Sequence, residues 1–194
     1  MIRPIIQAPD ERLLQKSEPV FPARTVLGTL IGDLIDTRHK YQAFGLSAVQ
    51  IGVPLRVVVV DPRGFHGFRV LMNPEVLEIG GDIIEGTEGC MSIAWGKKTF
   101  KVTRASRARI RFMDVHGEER TAVCAAFATR LICHEIDHLD GKLIGGSHDD
   151  RRSDQPARVP EDAALPTAAG GTGDGDPAAG LRPGTDPDRA ASGA

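Results

Sequence analysis

The sequence predicts an α+β fold of mostly antiparallel strands. Three observations point there. Runs of β-branched residues of strand length fill the middle of the chain. One helix-period segment precedes them and another follows them. No regular strand–helix–strand alternation links them, as a parallel sheet would require.

The elements follow in order. Pro9-Asp10 opens a turn near the start. Residues 24–41 place Val26, Leu27, Leu30, Ile31, Leu34 and Ile35 at helical spacing, with Asp33, Asp36, Arg38 and Lys40 elsewhere. That pattern is an amphipathic helix, although Gly28 and Gly32 weaken it. Leu55 to Val60 reads as a strand ended by Asp61-Pro62, and Arg69 to Asn73 as another, stopped by Pro74. Val76 to Ile79 and Ile83 to Ile84 flank Gly80-Gly81-Asp82, which predicts a hairpin. Val102-Thr103 starts a further strand. Arg107 to Val115 alternates arginines with Ala108, Ile110 and Phe112, the period of a half-buried strand. His116-Gly117 turns it back through Ala122 and Val123. Ala125 to Leu139 is a helix that Asp140-Gly141 stops.

Composition shifts near residue 147. Beyond it the chain is rich in Ala, Gly, Pro and Asp, and segments such as Ala168 to Pro177 have almost no apolar side chain larger than Ala. Such a segment cannot bury enough surface to offset chain entropy. The expectation is a folded domain over 1–146 and a disordered tail over 147–194. The formal net charge is −2, with no block of like charge, which gives no reason to expect nucleic acid or an anionic membrane as partner. No apolar run reaches membrane-spanning length, and Met1-Ile2-Arg3-Pro4 lacks the pattern of a signal peptide. A cytoplasmic location is expected. In that compartment the odd set Cys90, Cys124 and Cys133 reads as a metal ligand and buried thiols rather than a disulfide framework.

The clearest chemical signal is His134-Glu135-Ile136-Asp137-His138. Residues four apart on a helix stand one turn apart on one face, so two imidazoles can hold one ion. Glu135, between them, can take a proton from an attacking water. A lone short motif also fits an ordinary charged surface helix, and a metal site needs a third protein ligand. His39, at a helix end, His66 and His116, in turns, and His148, at the start of the tail, read as solvated residues. Cys90 differs, because it lies in Glu88-Gly89-Cys90-Met91-Ser92, where Gly89 permits close backbone approach beside the thiol.

With a third segment, Gly45-Leu46-Ser47-Ala48-Val49-Gln50, these motifs resemble the peptide deformylases, amide hydrolases that remove the formyl group from newly made proteins. Glu88 to Ser92 looks like that family's Glu-Gly-Cys-Leu-Ser, residues 134–138 like its His-Glu-x-x-His, and Gly45 to Gln50 like its Gly-Leu-Ala-Ala-x-Gln. All three stand in the family's order. Weaker agreement covers most of 1–146, including Asn73-Pro74 and Arg104.

The resemblance implies antiparallel sheets packed around a central metal-binding helix. It implies Cys90, His134 and His138 as ligands of one divalent ion, ferrous iron in the cell, with zinc, nickel or cobalt as alternatives suited to the same donors. It implies Glu135 as general base, and the Gln50 amide with the Met91 backbone N–H as donors to a developing oxyanion. Substrates would be N-formyl-methionyl peptides and nascent chains, met at the ribosome. They would bind as an added β-strand along Phe44, Gly45 and Leu46, with Gly45 allowing close approach. Glu88 would pair with Arg104. Asp137 is read as a structural partner of a basic residue, Trp95 and Tyr41 as packing residues, and Cys124 and Cys133 as buried thiols.

The chain departs from the family's usual pattern at Ala43-Phe44, Ser47, Val49, Ala94 and Cys133, and over Lys97 to Phe100. None of these changes removes a ligand, the base or the glutamine, but Phe44 bears on the substrate cleft. Two other readings therefore stand beside a deformylase. One is a divergent paralogue with altered substrate or inhibitor sensitivity. The other is a non-catalytic binder of nascent chains, against which the intact Glu135 counts.

Overall fold

The computed structural model describes residues 1–21, 25–61 and 69–145. The expected tail over 147–194 lies outside the described residues, as do His66 and His148. Helix α1 spans Thr25–Tyr41 and helix α2 spans Ala126–Leu139. Between them run β1 (Gly45–Ser47), β2 (Val57–Val60), β3 (Arg69–Gly89), β4 (Thr99–Met113) and β5 (Glu119–Ala125). They form a five-stranded sheet in chain order, and every neighbouring pair is antiparallel. The fold class is therefore α+β, as the sequence predicts.

Strand β2 shows why its four valines form an unbroken apolar run. Val57 and Val59 pack into one core with Leu30 and Leu34 of α1, Leu46 and Met72. Val58 and Val60 face the opposite core, with Ile110, Leu131, Ile132, Ile136 and Leu139. Both faces of the strand are covered, so alternation disappears from the sequence. Each such valine contributes about 1.5–3 kcal/mol of burial. Helix α2 packs on the second core against β4, β1 and β2, which fixes its position over the sheet.

The long strands correct three sequence expectations. No hairpin forms at Gly80-Gly81-Asp82, because β3 runs on through it to Gly89 with a register shift between Gly80 and Ile83. Gly81 has φ +69°, and a Cβ there would collide with Ser106 Oγ, so the glycines serve a β-bulge rather than a chain reversal. Pro74 does not stop the strand either. It sits at another shift, between Met72 and Glu75, where a missing N–H breaks no ladder bond. Asn73 before it has φ +50°, and its amide bonds both the N–H and the C=O of Val20, at 2.8 and 2.7 Å. Finally, Val102-Thr103 and Arg107 to Met113 belong to one continuous strand, β4, paired with β3 as far as Gly89 and Thr99. The true reversal between β3 and β4 is the segment 90–98, which carries Cys90 to the head of a turn.

Candidate active site

Four elements meet at one end of this frame. The turn after β3 supplies Cys90, which is 2% exposed. Its carbonyl accepts from the Ile93 and Gly96 N–H groups at 2.9 and 3.1 Å, which closes the turn. Helix α2 supplies His134, Glu135 and His138, all buried. A short 3-10 helix, Ala48–Ile51, supplies Gln50, and β1 supplies Gly45.

One ligand atom each from Cys90, His134 and His138 lie within 4.8 Å of one another. Cys90 Sγ is 3.1 Å from His138 Nε2, and the two rings stand nearly perpendicular with centroids 5.0 Å apart. His134 turns its Nδ1 to Glu88 Oε2 at 2.9 Å, which leaves its Nε2 for the shared centre. Bonds of about 2.0–2.3 Å to a tetrahedral ion would bring such donors within about 4 Å of each other. One sulfur and two imidazole nitrogens, buried and converging, fit a first-row divalent ion. The carboxylate on the far side of His134 is the usual partner of a ligating imidazole.

Glu88 is itself heavily bonded. Arg104 donates from Nε to Oε1 at 2.6 Å and from Nη2 to Oε2 at 2.9 Å. Burial would push this carboxyl up, but hydrogen bonds from Arg104 and His134 outweigh it and hold it below the usual carboxylate range. For His134 burial favours the neutral ring, yet its bonds to Cys90 and Glu88 push it up to about 10. His138 goes the other way, since burial and the neighbouring His134 charge hold it well below the ordinary value. Arg104 also reaches Asp137 from Nη1 at 2.9 Å, so Asp137 has the basic partner expected for it.

Glu135 is 3% exposed, and its Oε2 has no hydrogen-bond partner among the described residues. Burial raises its pKa to about 7, against the pull of His134 and Ser47. A carboxylate so placed can both accept and return a proton near neutral pH. It lies against Gly45, where a Cβ would stand 2.9 Å from the Glu135 carboxyl carbon, so the absent side chain of Gly45 makes room for this carboxylate.

Gln50 is held at both ends of its amide. Ser47 donates to Oε1 from its N–H at 2.9 Å and its hydroxyl at 3.0 Å. Nε2 donates to Ser92 Oγ at 3.1 Å and faces Cys90 Sγ at 3.7 Å. The Gln50 amide thus stands beside the Cys90 sulfur. The Met91 carbonyl accepts from Gln7 Nε2 at 2.9 Å, which ties the cysteine turn to the N-terminal segment. At the expected cleft, Phe44 is part-exposed and edge-on to Phe127, with centroids 5.2 Å apart. Leu46 is fully buried in the core, and its side chain packs there with Val57 and Val59. Tyr41 and Trp95 stack with centroids 6.0 Å apart. Cys124 is buried, whereas Cys133 is half-buried as a residue, and burial of its sulfur pushes it up to about 12. Cys133 borders a separate cavity of about 570 Å³ on the side of α2 that carries Ile136 and Asp137; none of the three donors or Glu135 lines it.

Sequence reasoning missed Ser47 and Ser92 as the holders of Gln50, and Arg130, whose Nη1 reaches Glu88 Oε1 at 2.7 Å. The only available signal for Arg130 was its position four residues before His134.

Comparison with known proteins decides which family this centre belongs to. The family model described as polypeptide deformylase matches residues 2–153. The chain belongs to the peptide deformylase family. It is 36% identical over 149 residues to the peptide deformylase of Rickettsia prowazekii, covering 72% of this chain and 83% of that protein. The peptide deformylase of Thermotoga maritima superposes with a TM-score of 0.70 at 30% identity, over 74% of this chain and 95% of that one. A class I type b peptide deformylase from Acinetobacter baumannii, solved with Met-Ala-Ser bound, gives 0.69 at 27% identity over 74% and 96%. As a member of the deformylase family the chain is a metal-dependent amide hydrolase.

Proposed function

We propose that the protein hydrolyses the formyl group from N-formyl-methionyl peptides and nascent chains, releasing formate. The convergence of Cys90, His134 and His138 within 4.8 Å, with the buried Glu135 next to them, carries this reading. A divalent ion held by those three donors, Fe2+ in the cell with Zn2+, Ni2+ or Co2+ as substitutes, would polarise the formyl carbonyl and acidify a water. Glu135 takes a proton from the attacking water and returns it to the leaving amine. The Gln50 amide, already set by Ser47 and Ser92, and the Met91 backbone N–H donate to the oxygen on which charge develops.

Strand β1 is the first strand of the sheet, paired on one side with β2. Its other edge is suited to receive a peptide as an added strand, through the backbone of Phe44, Gly45 and Leu46. The family member with Met-Ala-Ser bound supports a peptide beginning with methionine as ligand. No helix among the described residues is long and apolar enough to cross a membrane. Membership of the peptide deformylase family supports work on nascent chains at the ribosome in the cytoplasm.

The test is formate release from formyl-Met-Ala-Ser by protein purified without oxygen and loaded with iron. Activity is expected, and Glu135→Ala should lower it by about 10²–10⁴-fold. A fully active Glu135→Ala variant would contradict the assignment of the base.

A further inference from the structure

We propose that Arg130 is a positioning residue for His134, acting through Glu88, and that the missing side chain of Gly86 is what lets it reach. This rests on the reading of His134 as a metal ligand. Arg130 and His134 lie four residues apart, on one face of α2. Ile84, Gly86 and Glu88 alternate along β3 and share one face of that strand. The Arg130 side chain crosses this face. Its Nη2 donates to the Ile84 carbonyl at 2.8 Å, and its Nη1 donates to the Val102 carbonyl at 2.9 Å and to Glu88 Oε1 at 2.7 Å. A Cβ on residue 86 would lie 2.7 Å from both Cζ and Nη2 of Arg130, too close for the guanidinium to stay.

The pattern of bonds on Glu88 shows what this achieves. Oε1 receives Arg104 Nε and Arg130 Nη1, and Oε2 receives Arg104 Nη2 and His134 Nδ1. The oxygen turned away from His134 is thus held by both guanidiniums, and the other is presented to the ring. Arg104 anchors the carboxylate from β4. Arg130 anchors it from the helix that carries the ring, so movement of α2 past the end of β3 is resisted one turn from His134. Its fork is itself fixed by two backbone carbonyls, a geometry that a lysine cannot copy. Partners of ligating histidines commonly govern metal affinity by about 10–100-fold.

The experiment uses the full chain with Co2+ as probe, reading its affinity by chelator competition and the visible absorption of the bound ion. Arg130→Met and Gly86→Ala should each weaken Co2+ binding by about tenfold and shift the absorption bands. Arg130→Lys should stay on the variant side. The double variant should be no weaker than the worse single one, because both changes break the same contact. Gly86→Ala leaves the guanidinium in the chain, so it carries the test if Arg130→Met fails to fold. Wild-type affinity and spectrum in both single variants would overturn the proposal, and so would a double variant in which the two effects add. Wild-type protein that takes up no Co2+ through Cys90 would instead defeat the underlying metal-centre reading.

Discussion

Glu135 and Glu88 are both buried glutamates beside His134, yet their surroundings drive them apart. Glu88 gains two arginines and a histidine and stays ionised, whereas Glu135 gains little and rises to about 7. The rise sets a pH dependence for the metal-stripped protein. A carboxyl near 4.5 in the unfolded chain and near 7 in the folded one binds its proton more tightly when folded. Its contribution to stability is full below about 4.5 and is lost as pH rises to about 7. His134, with a raised value near 10, adds its own loss only above its ordinary 6.5. The depressed His138 works the other way in both proteins, since below about 6.5 the unfolded chain binds a proton that the folded one does not, so it adds stability as pH rises. Between pH 4.5 and 6.5, urea midpoints of the stripped wild type should therefore rise less, or fall more, than those of Glu135→Gln. Equal slopes would contradict the burial of Glu135. The two histidines, the glutamate and the cysteine were legible because helical spacing and a glycine beside a thiol are local patterns. Arg130 was not, since its partner Glu88 lies 42 residues away and only folding brings them together.

Strand lengths and turns were the least legible part of the elements. Glycine pairs and prolines punctuate a sequence in the same way whether they reverse the chain or bulge it. At Gly80-Gly81 and at Pro74 the long pairing with β4 won, and the sequence expectation of separate short strands failed. Helices α1 and α2 were read within a residue or two, because both have one face against a core and so keep the helical period. Strand β1 was read only as a glycine-containing motif, since three residues are too few to show alternation. Its register nevertheless matters, as it sets Gly45 against Glu135. Gly45→Ala should push the carboxylate aside, and a shift of about 1 Å in a reacting group can cost about 100-fold in rate. Formate release should drop by at least tenfold while the urea midpoint stays near wild type. An unchanged rate would show that Glu135 does not depend on that space.

For the whole molecule, sheet order turns three distant segments into one site. An antiparallel sheet in chain order brings β1 and the turn after β3 to a common end, and α2 closes it from the second core. Fold class was legible from composition and period, but the convergence of residues 45, 50, 90 and 134–138 came only from the motifs taken together. X-ray absorption at the metal edge of the full chain, purified without oxygen, reads that convergence at the ion itself. One sulfur near 2.3 Å and two imidazole nitrogens near 2.0–2.1 Å are expected, with the sulfur lost in Cys90→Ser. A bound ion with no sulfur neighbour in the wild type would contradict a centre built from Cys90, His134 and His138.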